Sequence, residues 1–148
     1  MRSLDSIQVL LRVRFQREQL EERKLAAIIE KLKLAQSELG HLSNELNRIT
    51  TTRLNEIQCA VPNTHHQAVE AHTKLLWKQC VDYVEEIKRL KGAYTQQLST
   101  YLFAHREREI MESFDKRRNE ARQAERNLRE QKLNEDLFLA RRVAKWDT

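Results

Sequence analysis

Glycine and proline, the residues that most often mark turns, are almost absent from this chain. Its 148 residues contain two glycines and one proline, whereas ordinary proteins have about 7% glycine and about 5% proline. Because turns draw heavily on these two residues, a chain this poor in them seldom reverses its direction. Pro62, within Val61-Pro62-Asn63-Thr64, is the one clear turn signal. The sequence therefore predicts two very long helices that are joined near Pro62.

The predicted fold class is all-α, a long antiparallel two-helix coiled-coil hairpin. We expect a single elongated domain over residues 1–148, with helix one over about 4–58, the turn over about 59–64 and helix two over about 65–144. The second arm is the longer, so its C-terminal part is expected to project without a partner helix. A hairpin of this kind has no enclosed pocket, which favours a mechanical or adaptor role.

A heptad pattern runs along both predicted arms. In the first arm the seam positions are apolar except at three charged residues: Leu4, Ile7, Leu11, Arg14, Glu18, Glu21, Leu25, Ile28, Leu32, Ala35, Leu39, Leu42, Leu46 and Ile49. In the second arm they are Val69, Thr73, Leu76, Cys80, Tyr83, Ile87, Leu90, Tyr94, Gln97, Tyr101 and Ala104. Beyond Ala104 this register meets charged residues, and a thinner, shifted stripe is expected at Met111, Phe114, Ala121 and Leu128.

Charged residues also interrupt the seam of the first arm at Arg14, Glu18 and Glu21. A turn near residue 63 would place them opposite residues 113 to 106, where the second seam is polar too. One interpretation is an ionic layer that fixes the register, with both glutamates near Arg106 and Arg108, and Arg14 near Glu109 or Glu112. The other is that these side chains extend to water from a poorly packed seam.

Composition limits the class of protein further. Charged residues make up 33% of the chain and aromatic residues 6%, a balance that suits a narrow seam better than a thick core. The net charge of +5 is dispersed along the chain. No run approaches the ~20 apolar residues of a membrane span, and the N-terminus lacks a signal-peptide core. The two cysteines, Cys59 and Cys80, would lie at different levels of the hairpin, which disfavours a disulfide. A cytoplasmic protein is predicted.

Catalytic and metal-binding motifs are missing from the sequence. It has no phosphate-binding G-x-x-x-x-G-K loop, no H-E-x-x-H and no C-x-x-C. His65, His66 and His72 cluster near the turn, but their spacing lacks the i, i+4 pair of a helical metal site. We therefore predict no enzyme, no cofactor and no metal.

Two tryptophans and an apolar N-terminal strip are candidate contact surfaces. Trp77 lies beside the seam, where it either covers the flank of the hairpin or meets a partner. Trp146 lies in the unpaired tail, where docking is favoured over disorder. Val9, Leu10, Val13, Phe15 and Leu20 are apolar but lie off the seam. Because they run almost all round the helix, insertion into a protein socket explains them better than a membrane surface does, and self-association of two such ends is the alternative.

Two segments resemble one known family. The opening Ile7-Gln8-Val9-Leu10-Leu11-Arg12-Val13-Arg14, followed by Arg17-Glu18-Gln19-Leu20-Glu21-Glu22, is similar to the start of the flagellar FliJ family. The segment Glu130-Gln131-Lys132-Leu133-Asn134-Glu135 resembles that family's terminal signature, with Asn134 in place of the usual Asp. Length, the central turn and the charged second helix agree as well, so the resemblance spans nearly the whole chain.

The resemblance implies a non-enzymatic stalk or adaptor of the bacterial flagellar type III export apparatus, at the cytoplasmic face of the cell membrane. Its implied partners are a hexameric export ATPase and a membrane export gate protein, with export chaperones as further candidates. The residues implied to face the ATPase are Leu10, Arg12, Val13, Arg14, Phe15, Arg17, Arg117, Arg118 and Arg122. Those implied to contact the gate, at the middle of the hairpin, are Leu42, Ile49, Leu76, Trp77, Cys80 and Tyr83.

Two other classes of function remain open from the sequence alone. One is a free-standing coiled-coil scaffold or chaperone, which includes the stalk of an injectisome secretion system. The other is a helical hairpin that binds nucleic acid. Acidic residues interleave with nearly every basic run, whereas nucleic-acid binders gather basic residues on one face, so no nucleic-acid partner is predicted.

Overall fold

The structure, a computed structural model, consists of two long helices. It describes the backbone of residues 2–57, 59 and 63–147, and the side chains of residues 6–57, 59 and 64–147. Within these ranges α1 spans Arg2–Ile57, α2 spans Asn63–Trp146, and no β-strand occurs. The predicted all-α hairpin of two helices packed against each other is confirmed. Of the turn predicted over about 59–64, residues 60–62 lie outside the described residues, and Asn63 and Thr64 belong to α2.

Each helix contributes to two compact units. The terminal unit contains Met1–Arg17 and Ala104–Thr148, and the central unit contains Glu18–Phe103. The two units are described separately below. A single elongated domain with a projecting C-terminal part stays a prediction.

The predicted seam positions are those that the structure buries. Every predicted seam position from Ile7 to Ile49 in α1, and from Val69 to Ala104 in α2, is buried or half-buried. Leu4 lies outside the residues whose side chains are described. Residues three and four apart share one face of a helix, so a sustained heptad pattern yields a continuous apolar strip. The periodicity of the sequence therefore predicted the buried faces of both helices.

Two apolar clusters hold the central unit together. In one, Ala35 of α1 packs with Ile87 and Leu90 of α2, and Leu90 is only 4% exposed. In the other, Leu46 of α1 packs with Leu76 and Cys80. From the first cluster to the second, the residue number rises in α1, from Ala35 to Leu46, and falls in α2, from Leu90 to Leu76. The helices are therefore antiparallel within this unit.

A buried polar pair lies in the same seam. Glu21 is 8% exposed, and the Gln97 side-chain amide donates to its carboxylate at 2.5 Å and to its backbone carbonyl at 3.1 Å. Lys24 lies 3.5 Å from the same carboxylate on the solvent side. A buried carboxylate needs such donors, because its desolvation is costly without them. This pair therefore favours one register of α1 against α2.

The terminal unit has a thinner seam. Ile7 and Ala104 are its buried apolar residues among those described, and Arg14 of α1 forms an ion pair with Glu107 of α2. The predicted partners of Arg14 were wrong. Glu109 pairs with His105 and Glu112 pairs with Arg108, each within α2. Arg14 therefore pairs six residues before residue 113, the position that a turn near residue 63 would place opposite it.

Beyond Ala104, α2 keeps the same register. Met111, Asp115, Arg118 and Arg122 are half-buried, whereas Phe114, Ala121 and Leu128 of the expected shifted stripe are exposed. The prediction of a shifted stripe was wrong, because a continuous helix keeps the same face toward its partner even where that face becomes polar. From Gln123 to Asp147 every side chain is exposed, and the helix continues to Trp146.

We predict that alanine at either helical glycine stabilises the protein. A Cβ at Gly40 or Gly92 would meet no atom within 4 Å, and neither residue has a positive φ. Alanine is favoured over glycine inside a helix by about 1 kcal/mol. Gly40→Ala and Gly92→Ala should therefore each raise the free energy of unfolding by about that amount, measured by urea titration followed by circular dichroism. Ala71→Gly, on the exposed face of α2, is the reverse control and should lower it similarly.

Candidate functional site

The exposed apolar residues of α1 in the terminal unit form the first candidate surface. Leu10, Val13 and Phe15 lie off the seam and are about half exposed, as the sequence predicted. Arg12 and Arg17 of the same segment are exposed as well. Arg14 differs from these two arginines because it is half-buried and engaged with Glu107. With Val9, which is 57% exposed, four apolar side chains and two guanidinium groups are therefore available to partners, distributed around the helix.

A shallow groove between the helices brings further residues next to this surface. Arg12 and Phe15 line it together with Gln8, Leu11, Arg108 and Glu112. Arg108 and Glu112 form an ion pair at one wall. Gln8 attracts no attention in the sequence, because it lies off the seam, whereas Glu112 was expected nearby as a partner of Arg14.

The predicted basic residues of α2 divide into two kinds. Arg117 is exposed, whereas Arg118 and Arg122 are half-buried at positions of the seam register. Because all three lie within the terminal unit, they are in the same unit as Leu10, Val13 and Phe15. That these arginines lie across from Leu4 to Leu10 stays a prediction.

Most of the residues predicted to meet the export gate are seam residues. Leu76 and Cys80 are buried against Leu46. The others of this kind are only partly buried but pack against the two core clusters: Leu42, Ile49 and Tyr83. Trp77 is different, because 60% of its surface is exposed. Of the predicted gate residues, Trp77 is the one that offers a large accessible surface.

Two valines extend the surface of Trp77 along α2. Val81 and Val84 follow it at i+4 and i+7, a spacing that places all three on one face of the helix. Each valine is 54% exposed. We call these three residues the Trp77 face. The signal that would have revealed it in the sequence is a second apolar stripe, beside the seam and at the same spacing.

Leu75 lies two residues before Trp77 but on another side of the helix. It is exposed to a similar degree, 53%. Two residues turn an α-helix by about 200°, so Leu75 does not belong to the Trp77 face. It therefore provides a matched reference for experiments on that face.

Ionisable groups near the turn make ordinary surface pairs. His65 Nε2 lies 3.0 Å from a Glu56 carboxylate oxygen, which links the two helices of the central unit. Arg48 donates to Glu45, and this hydrogen bond lowers the pKa of the Glu45 carboxyl. Among the described residues no group of three or more histidine, cysteine, aspartate or glutamate side chains could hold a metal ion. Neither helix contains, in its described part, a stretch long and apolar enough to span a membrane.

Together these features define a helical hairpin protein whose candidate sites are surfaces on helices rather than a catalytic pocket. A family model described as "Flagellar FliJ protein" matches residues 3–145, nearly the full length of the chain. The chain belongs to this family, as its two terminal segments suggested. Membership implies a role related to flagellar export. The family is a non-catalytic component of the flagellum. No curated protein matches the chain significantly, and no solved structure does.

The reactivity of the two cysteines toward a thiol reagent can test whether Cys80 is part of an accessible site. Cys59 is exposed and Cys80 is buried, and both are free thiols. We predict that a thiol reagent labels one cysteine per native chain and the second only in denaturant. Cys59→Ser should then abolish rapid labelling of the native protein. Labelling of Cys80 at the rate of Cys59 without denaturant would contradict the burial described here.

Proposed function

We propose that this protein is a stalk or adaptor of the flagellar type III export apparatus that inserts into the export ATPase ring and contacts the export gate. The match of the flagellar family across residues 3–145 carries this proposal. In this role the chain itself catalyses nothing. It acts at the inner face of the cell membrane through its partners, the hexameric ATPase and the membrane gate protein, with export chaperones as further candidates.

The terminal unit is the end proposed to enter the ATPase ring. Leu10, Val13 and Phe15 are exposed there although the seam of the same unit uses other residues. Apolar side chains that do not contribute to the fold are candidates for an interface, because their burial against a partner gains hydrophobic free energy. Arg12 and Arg17 add positive charge that would meet acidic groups in the ring. Arg117, Arg118 and Arg122 complete the proposed set.

The Trp77 face is the surface proposed to bind the export gate. Tryptophan is enriched among the residues that dominate binding energies, and here it has two apolar neighbours on the same face. Leu42, Ile49, Leu76, Cys80 and Tyr83 were part of the predicted gate site. Their packing in the seam supports a positioning role, in which they hold α2 so that the Trp77 face is presented to the gate.

The ATPase contact can be tested with a triple variant. Arg12→Glu, Phe15→Ala and Arg17→Glu together should weaken the chain's stimulation of ATP hydrolysis by the purified export ATPase, and raise the half-maximal concentration roughly tenfold or more, since two charges reverse and an apolar contact is lost. The matched control is Lys31→Glu, Lys33→Glu and Leu34→Ala, which makes the same kinds of change on exposed residues of the central unit. Equal stimulation by both variants would contradict the assignment of this end.

The gate contact can be tested separately. Trp77→Ala with Val81→Ala should weaken binding to the cytoplasmic part of the gate protein by roughly tenfold or more, measured by titration calorimetry. Leu75→Ala, an exposed apolar residue of the same helix segment, should leave the affinity nearly unchanged. Both variants should still stimulate the ATPase. Unaltered gate binding by the double variant, with the control also unaltered, would show that the gate does not use this face.

A further inference from the structure

The C-terminal part of α2 presents large apolar side chains that are mostly exposed to solvent. Leu133, Leu139 and Val143 are each more than half exposed, and Trp146 is 79% exposed. They lie in a helix that continues unbroken to Trp146 within the terminal unit. Four large apolar side chains on a formed helix are costly to leave in water if no partner ever covers them.

Three of these residues fall on the heptad register of the seam. Leu139, Val143 and Trp146 continue, at spacings of four and three, the series that includes Leu90 and Ala104. The preceding positions of the same register are occupied by charged residues: Glu125, Arg129, Lys132 and Asp136. A face with this spacing is suited to another helix, because the a and d positions of a heptad meet the same positions of a facing helix.

Charged residues flank the register on both sides of Leu137. Glu135 precedes Leu137 and Arg142 follows it on one flank, and Arg126 and Asp147 lie on the other flank. Two parallel copies would bring identical seam charges together, at Arg129, Lys132 and Asp136. Two antiparallel copies would instead bring Glu135 of each helix beside Arg142 of the other, and Arg126 beside Asp147. The flanking charges are therefore complementary in the antiparallel orientation.

We propose that residues 125–147 of two copies of this chain pair as an antiparallel coiled coil, about a two-fold axis near Leu137 and Phe138. When Leu139 lies opposite Asp136 of the second copy, heptad geometry places Glu135 beside Arg142 of the second copy. The two-fold axis repeats this pair, because a symmetric dimer uses the same surface of both chains. Arg126 and Asp147 form a second repeated pair in the same arrangement.

The seam of this dimer combines apolar and polar layers. Val143 lies opposite Lys132 of the second copy, and Trp146 lies opposite Arg129, where a guanidinium can stack on the indole ring. Arg142 already makes such a contact within one chain, with its Cζ 5.8 Å from the Trp146 ring centre. Polar residues at seam positions lower stability but fix register. The dimer is therefore expected to be weak and reversible.

A charge exchange tests the proposal on the full-length chain. Sedimentation equilibrium over a range of concentrations should show a monomer–dimer equilibrium for the natural sequence. Glu135→Arg or Arg142→Glu alone should raise the dissociation constant roughly tenfold, because each places like charges together at two symmetric sites. The double variant, Glu135→Arg with Arg142→Glu, should restore dimerisation, because both pairs re-form with the charges exchanged.

A matched control and two outcomes decide the result. Arg141→Glu makes the same charge change one residue away, at a heptad position that points away from the seam, and should have little effect. A chain that stays monomeric at all concentrations would overturn the proposal. A dimer that resists the single charge reversals but is lost in Val9→Ser with Val13→Ser would also overturn it, and would place self-association at the N-terminal strip.

Crosslinking tests the orientation independently. In a background of Cys59→Ser and Cys80→Ala, chains carrying Leu133→Cys are mixed with chains carrying Ala140→Cys and treated with a short bismaleimide. Antiparallel pairing predicts that the mixed 133–140 crosslink predominates, because these two positions face each other across the axis. Crosslinks that join like positions, 133 to 133 and 140 to 140, would indicate parallel pairing and overturn the proposal.

Discussion

The antiparallel packing of α1 against α2 is the interaction on which the other features of this protein depend. A two-helix seam uses about two positions in seven from each helix, so most of each helical surface stays available to water or to partners. Long helices are marginal alone and gain most of their stability from such packing. The seam therefore decides both that the helices persist and which side chains remain exposed.

Polar residues within the seam determine register more than strength. Burial of the Glu21 carboxylate costs free energy that the Gln97 amide and Lys24 offset in part. An apolar seam of leucines alone would tolerate a shift by one heptad, because its layers are nearly equivalent. The donors and acceptors of this pair are not equivalent to their neighbours, so a shifted register would remove the Gln97 amide from the buried carboxylate.

Sequence periodicity predicted the buried faces of the helices but not their offset. Which face of a helix is apolar is a local property. The seam positions from Ile7 to Ile49 and from Val69 to Ala104 could therefore be predicted from spacing alone. The partner of Arg14 depends on the axial offset between the two helices, which heptad spacing does not reveal. The candidate gate site shows a related limit: hydrophobicity selected Leu76 and Cys80, which the seam buries, and passed over Val81 and Val84, which it leaves exposed.

Exposed apolar residues on a preformed helix bind at a lower entropic cost than the same residues on a flexible tail. Between Gln123 and Glu135 α2 has no buried side chain, yet it carries three i, i+4 contacts, which join Gln123 to Asn127, Glu125 to Arg129 and Gln131 to Glu135. Each contributes a few tenths of a kcal/mol to helix stability. Ordering a residue costs roughly 1–2 kcal/mol in lost backbone freedom, so a segment that is already helical has met this cost before a partner arrives. The same reasoning applies to the Trp77 face, where the seam orders the helix and leaves the binding side chains in place.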